Sequence, residues 1–357
     1  MAQRYLHIPD IMAAWPWPRR IHPMYEEVSA ESSAWLKSFA PFTPESQHAL
    51  DKCNIGLLAA LVYPDASRAE TLRTSTDLMN LLFVIDEHTD VKQAPAVKEM
   101  VEILLDAMHN TQKPRPVGEP VWGEIMREWS SRCLLPATPE AVSHFHKSFA
   151  NYLEAVAVQA EERCSGTVRS IDSFITIRRE NNAGRPSLFP CELHLSIPEE
   201  VFYHPYVVEM QTCVIDMITT INDILSYNRE QATQTDDYNL LTVVMRELGV
   251  DLDGAVAWVV DLHHSIAARF IEGLKHVPSF GPEVDTQLQE YLQNIANWPR
   301  GSDSWSFESG RYFGEWGLEY QRTRRVPLLQ KSKRDLQSNG REVQIYLIEA
   351  PAQPTPA

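Results

Sequence analysis

The chain has 357 residues, 44% hydrophobic and 22% charged, an ordinary globular composition. Its 48 acidic against 32 basic residues leave a formal charge of −16, which repels nucleic acid and anionic membrane, and no basic run exceeds a pair. No apolar run approaches the roughly 20 residues of a bilayer span, and five scattered cysteines (Cys53, Cys133, Cys164, Cys191, Cys213) form neither a disulfide framework nor a zinc site, so a reducing, cytoplasmic location is expected.

Residues 1–20 open with neither a basic start nor an uninterrupted apolar core, so no signal peptide is indicated. The prolines of "WPWPRRIHP" predict an extended segment ahead of the first helix. Apolar residues then recur every three to four positions over 44–64, 68–91, 94–110, 119–135, 139–164, 171–181, 204–230, 239–249, 252–277 and 283–298. Prolines and Pro-containing loops separate these runs. No run alternates with the two-residue period of a strand, and no repeat is present. The expectation is an all-α protein: one domain over 21–348 built from about ten helices, then a Pro-rich, disordered tail over 349–357. His144 with His146, and His263 with His264, are expected on exposed helix faces rather than at a metal, since no paired ligand spacing accompanies them.

The helix predicted over 68–91 ends in "LLFVIDEHTDV". Met79, Phe83, Asp86 and Asp90 lie three or four residues apart and share one face. Glu87 is rotated from Asp86 by about 100°. Taken alone, such acids are explained by a helix end emerging into water. A second cluster changes the weighting. The helix over 204–230 is apolar for most of its length, yet it closes with Asn222, Ser226 and Glu230 at four-residue intervals. These place an amide oxygen, a hydroxyl and a carboxylate on one face, the oxygen donors that a hard divalent cation such as Mg²⁺ prefers. Arg229, beside Glu230, adds a positive charge at the same depth.

With "DEHTD" at 86–90 and "NDILSYNRE" at 222–230, the chain resembles class I terpene synthases, in which two such metal motifs face each other. The separation of 136 residues (222 − 86) is of the kind that family shows. "ITIRRENNAGRPS" resembles the segment carrying the diphosphate-sensing arginine. Alignment on Pro186-Ser187 favours Arg179 over Arg178, and Ala183 stands where the family often has glycine. "WSFESGRYFGEW" resembles the Arg-Tyr pair of microbial members, here Arg311 and Tyr312, 89 residues beyond Asn222 (311 − 222). The likeness runs from about Arg20 to Arg324 and is closest to basidiomycete-type fungal sesquiterpene synthases.

The resemblance implies a helical bundle around a central apolar cavity, and Mg²⁺-dependent ionisation and cyclisation of farnesyl diphosphate with release of diphosphate. Three Mg²⁺ ions, replaceable by Mn²⁺, would be held by Asp86 and Asp90 on one side and by Asn222, Ser226 and Glu230 on the other; Glu87 is the weaker ligand candidate. Arg179, Arg229, Arg311 and the Tyr312 hydroxyl would donate to phosphate oxygens. Phe83, followed by Trp305 and Phe307, would offer aromatic faces to the carbocation. Overall similarity points further to 1,11-closure through a humulyl cation toward a protoilludene-type tricycle. Two rivals are an isoprenyl chain-elongating transferase, which normally carries two aspartate-rich motifs, and a non-catalytic helical binder of apolar ligands, which has no need of converging arginines. A monomer and a homodimer are equally compatible with the sequence.

Overall fold

The computed structural model describes residues 3–66, 68–90, 92–331 and 347–348. The tail expected over 349–357 lies outside them.

Leu6, Ile8, Ile11, Met12 and Trp15 are buried, so the first residues are drawn onto the helical body by their apolar side chains. Strand β1 (Tyr5–His7) pairs antiparallel with β2 (Arg325–Pro327), Leu6 opposite Val326. At three residues each, neither strand is long enough to show the alternation sought in the sequence. Trp15 Nε1 donates to the Ala296 carbonyl at 3.1 Å, and Arg300 Nη2 to that of Met12 at 2.6 Å, completing the attachment.

Helix α1 (Tyr25–Ser38) has no counterpart in the sequence reading, because its buried face is only Val28, Ser32 and Leu36 among acidic and small residues. The single helix expected over 44–64 is two, α2 (Pro44–Cys53) and α3 (Ile55–Val62). Asn54 breaks it: its backbone is left-handed (φ 48, ψ 61), and its side chain caps α3 by accepting from Leu57 N–H at 3.3 Å. Next come α4 (Ala69–Thr89), α5 (Ala94–His109), α6 (Trp122–Cys133), α7 (Pro139–Ser165) and α8 (Ile171–Asn181). The short α9 (Gly184–Ser187) and α10 (Glu199–Phe202) precede α11 (Pro205–Thr233). The chain continues through α12 (Leu240–Leu248), α13 (Leu252–Gly273), α14 (Pro282–Ile295), α15 (Asn297–Glu308) and α16 (Gly317–Thr323). Helix α15 escaped the sequence reading because Pro299, Gly301 and its serines interrupt the apolar pattern, although Trp298, Trp305 and Phe307 are all buried.

Neighbour packs against neighbour in the order α4, α6, α5, α7, α8, α11, α15, α3 and back to α4, which closes a ring. The all-α expectation holds in the described residues, apart from the short ribbon. Gly301 is needed in that ring: a Cβ there would come within 2.6 Å of Val62 and 2.8 Å of the Leu61 carbonyl, so only glycine lets α15 lie against α3. Helix α11 is buried along nearly its whole length, packed by α8, α12, α13, α14 and α15. Among the described residues no helix is long and apolar enough to cross a membrane.

Two histidines expected outside are inside. His144 is buried, its Nδ1 2.8 Å from Glu192 and its ring stacked on Phe202 at 3.8 Å. His263 is buried with Nδ1 2.8 Å from the Thr220 hydroxyl. In each case a polar partner from another segment, Glu192 in a turn and Thr220 on α11, offsets desolvation of the ring.

Candidate active site

Helix α4 buries Leu81, Leu82, Val84 and Ile85, and its last turns open outward at Phe83, Asp86 and Glu87. There Arg311, nearly buried, meets the acids: Nη2 lies 3.5 Å from Asp86 Oδ2 and Nη1 3.7 Å from Glu87 Oε1. The 100° rotation that set Glu87 off the shared face therefore does not take it away from the site, because the guanidinium sits between the two carboxylates. Arg311 also lies over the Phe83 ring at 4.7 Å and donates to Cys53 Sγ at 3.6 Å. Trp305 meets Phe83 edge-on at 6.0 Å and Tyr312 at 5.9 Å, and its indole N–H donates to the Cys53 carbonyl at 2.7 Å. Phe307 instead stacks on Phe313 at 5.3 Å and belongs to the core.

Asp90 forms the C-terminal cap of α4, its N–H donating to the Asp86 carbonyl at 3.0 Å, while its side chain reaches the surface. Crowding by surrounding protein, then the charges of Asp86 and Glu87, push its carboxyl upward; Arg163 and Arg311 hold it back. Arg163 of α7 also donates to the carbonyls of Thr89 and Lys92 at 2.8 and 2.7 Å, fixing the end of α4.

On the opposite wall, α11 presents Asn222, Ser226 and Glu230 on one face. Asn222 Nδ2 donates to the Tyr312 hydroxyl at 2.8 Å, and Asn222 Oδ1 accepts from Arg178 Nη2 at 3.2 Å. Arg178 donates again to Asp223 at 2.8 Å. Arg179, favoured from the sequence, does not meet this motif. Its guanidinium makes a two-pronged pair with Asp216, at 2.7 and 2.8 Å, nearly two turns before Asn222. Adjacent residues on α8 point about 100° apart, and the way α8 lies on α11 sends Arg178 to the motif. Arg229 is exposed, and its guanidinium makes no hydrogen bond or ion pair among the described residues. Burial, then the Asp223 charge, raises the Glu230 carboxyl to about 7 against the pull of Ser226, Asn239 and Arg178. Asn239, which the sequence reading missed, donates to Glu230 Oε2 at 2.8 Å.

Ala183 breaks α8 from α9 with a left-handed backbone (φ 58, ψ 8). Asn182 holds the bend, its Oδ1 accepting from Gly184 N–H at 2.8 Å and its Nδ2 donating to the Thr219 hydroxyl at 2.7 Å. An asparagine turn thus does the work expected of glycine.

The donor set suits a hard divalent cation: every candidate ligand is an oxygen. Among the described residues no three His, Cys, Asp or Glu side chains form a cage by themselves. Mg²⁺, for one, keeps waters and takes phosphate oxygens alongside one or two carboxylates. Arg178 Nε and Arg311 Nε are buried without a hydrogen-bond partner. Two unpartnered guanidinium N–H groups at one mouth fit an anionic ligand rich in acceptors.

Two oxygen-donor walls with guanidinium groups between them, in a closed ring of helices, define a class I terpenoid-synthase site. A family model described as "Terpene synthase family 2, C-terminal metal binding" matches residues 77–269. Sesquiterpene synthase 14 of Postia placenta is 49% identical over 346 residues, 97% of this chain and 98% of that protein. Delta(6)-protoilludene synthase 18 of the same fungus is 48% identical over 340 residues, 95% and 97% of the two chains. Among solved structures, a cucumene synthase variant superimposes with a TM-score of 0.73 at 21% identity, over 82% of this chain and 99% of the other. This last likeness speaks for the fold alone. The chain belongs to the terpene synthase family, whose members are lyases acting on prenyl diphosphates through a divalent-metal-binding domain.

Proposed function

We propose that the protein is a cytoplasmic sesquiterpene synthase that ionises farnesyl diphosphate and cyclises it by 1,11-closure, through a humulyl cation, to a protoilludene-type tricycle. One observation carries the ionisation chemistry: Arg311 and Tyr312 span a mouth whose walls are Asp86 with Asp90 and Asn222 with Ser226 and Glu230. The product rests on the protoilludene synthases among the relatives. Five free thiols suit a reducing compartment.

Asp86 and Asp90 would hold metal on one wall, and Asn222, Ser226 and Glu230 on the other. Mg²⁺, three ions in this reading and replaceable by Mn²⁺, supplies Lewis-acid charge to the leaving diphosphate when bound. Arg178, taking the part first expected of Arg179, donates to phosphate oxygens together with Arg311, Tyr312 and Arg229. Such preorganised donors favour the state in which negative charge has moved onto the leaving group. Phe83 and Trp305 present apolar aromatic surface beside that point. Arg311 covers the Phe83 ring at 4.7 Å, so the ring face becomes free only when the guanidinium moves onto phosphate.

Incubation of the purified protein with farnesyl diphosphate and MgCl₂, with analysis of volatiles by mass spectrometry, tests this reading. A tricyclic sesquiterpene is expected, abolished by EDTA and restored by Mg²⁺. A longer prenyl diphosphate, formed once isopentenyl diphosphate is added, would establish the chain-elongating reading instead. Binding without turnover would establish the non-catalytic one.

A further inference from the structure

Asn239 stands where α11 hands over to α12, outside every motif that singled out the site, and is fully buried. Its two side-chain ends do different things. Oδ1 accepts from Leu241 N–H at 2.9 Å and so caps α12. Nδ2 donates to Glu230 Oε2 at 2.8 Å and to the Asp223 carbonyl at 2.8 Å, and lies 3.5 Å from Ser226 Oγ. An amide nitrogen has two hydrogens, so the two short bonds saturate it and the Ser226 approach is a contact only.

We propose that Asn239 is a positioning residue for the α11 wall, resting on the metal-dependent reading above. Its amide holds one oxygen of the Glu230 carboxylate and leaves the other for the ion. It also pins the backbone turn from which Ser226 projects. A glutamate at a helix end otherwise spreads over several rotamers, and ordering them would weaken ion binding. Groups that hydrogen-bond to ligands govern metal affinity for this reason. The same turn is fastened a second time. Asp223 Oδ2 accepts from Leu240 N–H at 2.8 Å, while its Oδ1 accepts from Arg178 at 2.8 Å. The start of α12, the ligand wall and the arginine at Asn222 thereby move as one unit.

Two substitutions separate positioning from capping. Asn239→Ser retains a good cap for α12 and has no donor that reaches Glu230. Asn239→Asp also retains the cap but sets a second carboxylate against Glu230. Thermal unfolding without metal reads the cap. Calorimetric titration of MgCl₂ into protein containing inorganic diphosphate reads the wall. The expected result is an unfolding temperature for Asn239→Ser close to wild type, with Mg²⁺ binding weaker by roughly ten- to hundredfold. The Mg²⁺ concentration for half-maximal turnover should rise in parallel, and KM for the prenyl diphosphate at saturating Mg²⁺ should change far less. Wild-type Mg²⁺ affinity in Asn239→Ser, with or without lost stability, would reduce Asn239 to a helix cap and overturn the proposal. If the wild-type protein showed no Mg²⁺-dependent diphosphate binding, the functional reading would fall and this inference with it.

Discussion

Arg178 and Arg179 are chain neighbours with different partners. Arg178 reaches Asn222 and keeps a buried Nε–H without a partner, whereas both ends of the Arg179 fork are taken by Asp216. Lysine in place of either keeps the charge and loses the planar fork. Arg178→Lys should lower kcat for farnesyl diphosphate by roughly 10²-fold, the loss typical of one donor to developing negative charge. Arg179→Lys should leave kcat near wild type. The reverse ranking would make Arg179 the diphosphate sensor. At the other wall, Asp86→Asn should cost at least roughly 10² in kcat. Glu87→Gln should cost about tenfold, since Glu87 acts by sharing Arg311 with Asp86. Equal losses in steady-state assays, with circular dichroism unchanged, would make Glu87 a metal ligand in its own right.

At the scale of elements, the α8–α9 break is held by Asn182 around a left-handed alanine. An L-residue in that region costs about 1–2 kcal/mol, and glycine gives back about 0.4–1 kcal/mol through its freer unfolded chain. Ala183→Gly should therefore stabilise the fold by about 0.5–1 kcal/mol, read as a higher urea midpoint. A lower midpoint would mean that Ala183's Cβ packing is worth more than the strain. His263 joins α13 to Thr220 on α11 and makes a pH-dependent prediction. Burial, then the nearby His264 charge, lowers its ring to about 3. The folded value lies below the unfolded value of about 6.5. Between them the unfolded chain holds a proton that the fold refuses, so stability is complete above about 6.5 and declines as pH falls toward 3. The decline is roughly 1.4 kcal/mol per pH unit for this one group. His263→Asn should flatten the dependence of urea unfolding on pH between about 6 and 4 by that amount. Identical slopes in both proteins would show that the folded state accepts the proton.

Across the whole molecule, the ends of α4 and α11 sit on different arcs of the ring, and the segment carrying Arg311 and Tyr312 ties them. Arg311 is shared between the carboxylates of Asp86 and Glu87, at 3.5 and 3.7 Å. Mg²⁺ and diphosphate together should replace those contacts and tighten the mouth. Backbone hydrogen exchange over residues 309–313 should slow with both present and with neither alone. Exchange indifferent to the pair would argue for a mouth already closed.

What the sequence by itself determined follows from local geometry. The apolar period forecast helices where most are found, and the four-residue spacing put Asn222, Ser226 and Glu230 on one face whatever α11 packs against. The same rule joined Phe83 to Asp86. Where local pattern was weak, as in α1 and α15, the elements themselves went unread. Only the tertiary structure decided partners: Arg178 rather than Arg179 at Asn222, Glu87 brought to Arg311, Asn239 laid against Glu230, and His144 and His263 turned inward. The physical reason is common to all of them. Neighbouring side chains on a helix diverge by about 100°, and which one meets a partner depends on how that helix is rotated against the next. Rotation is set by long-range packing, and no spacing along one segment carries it.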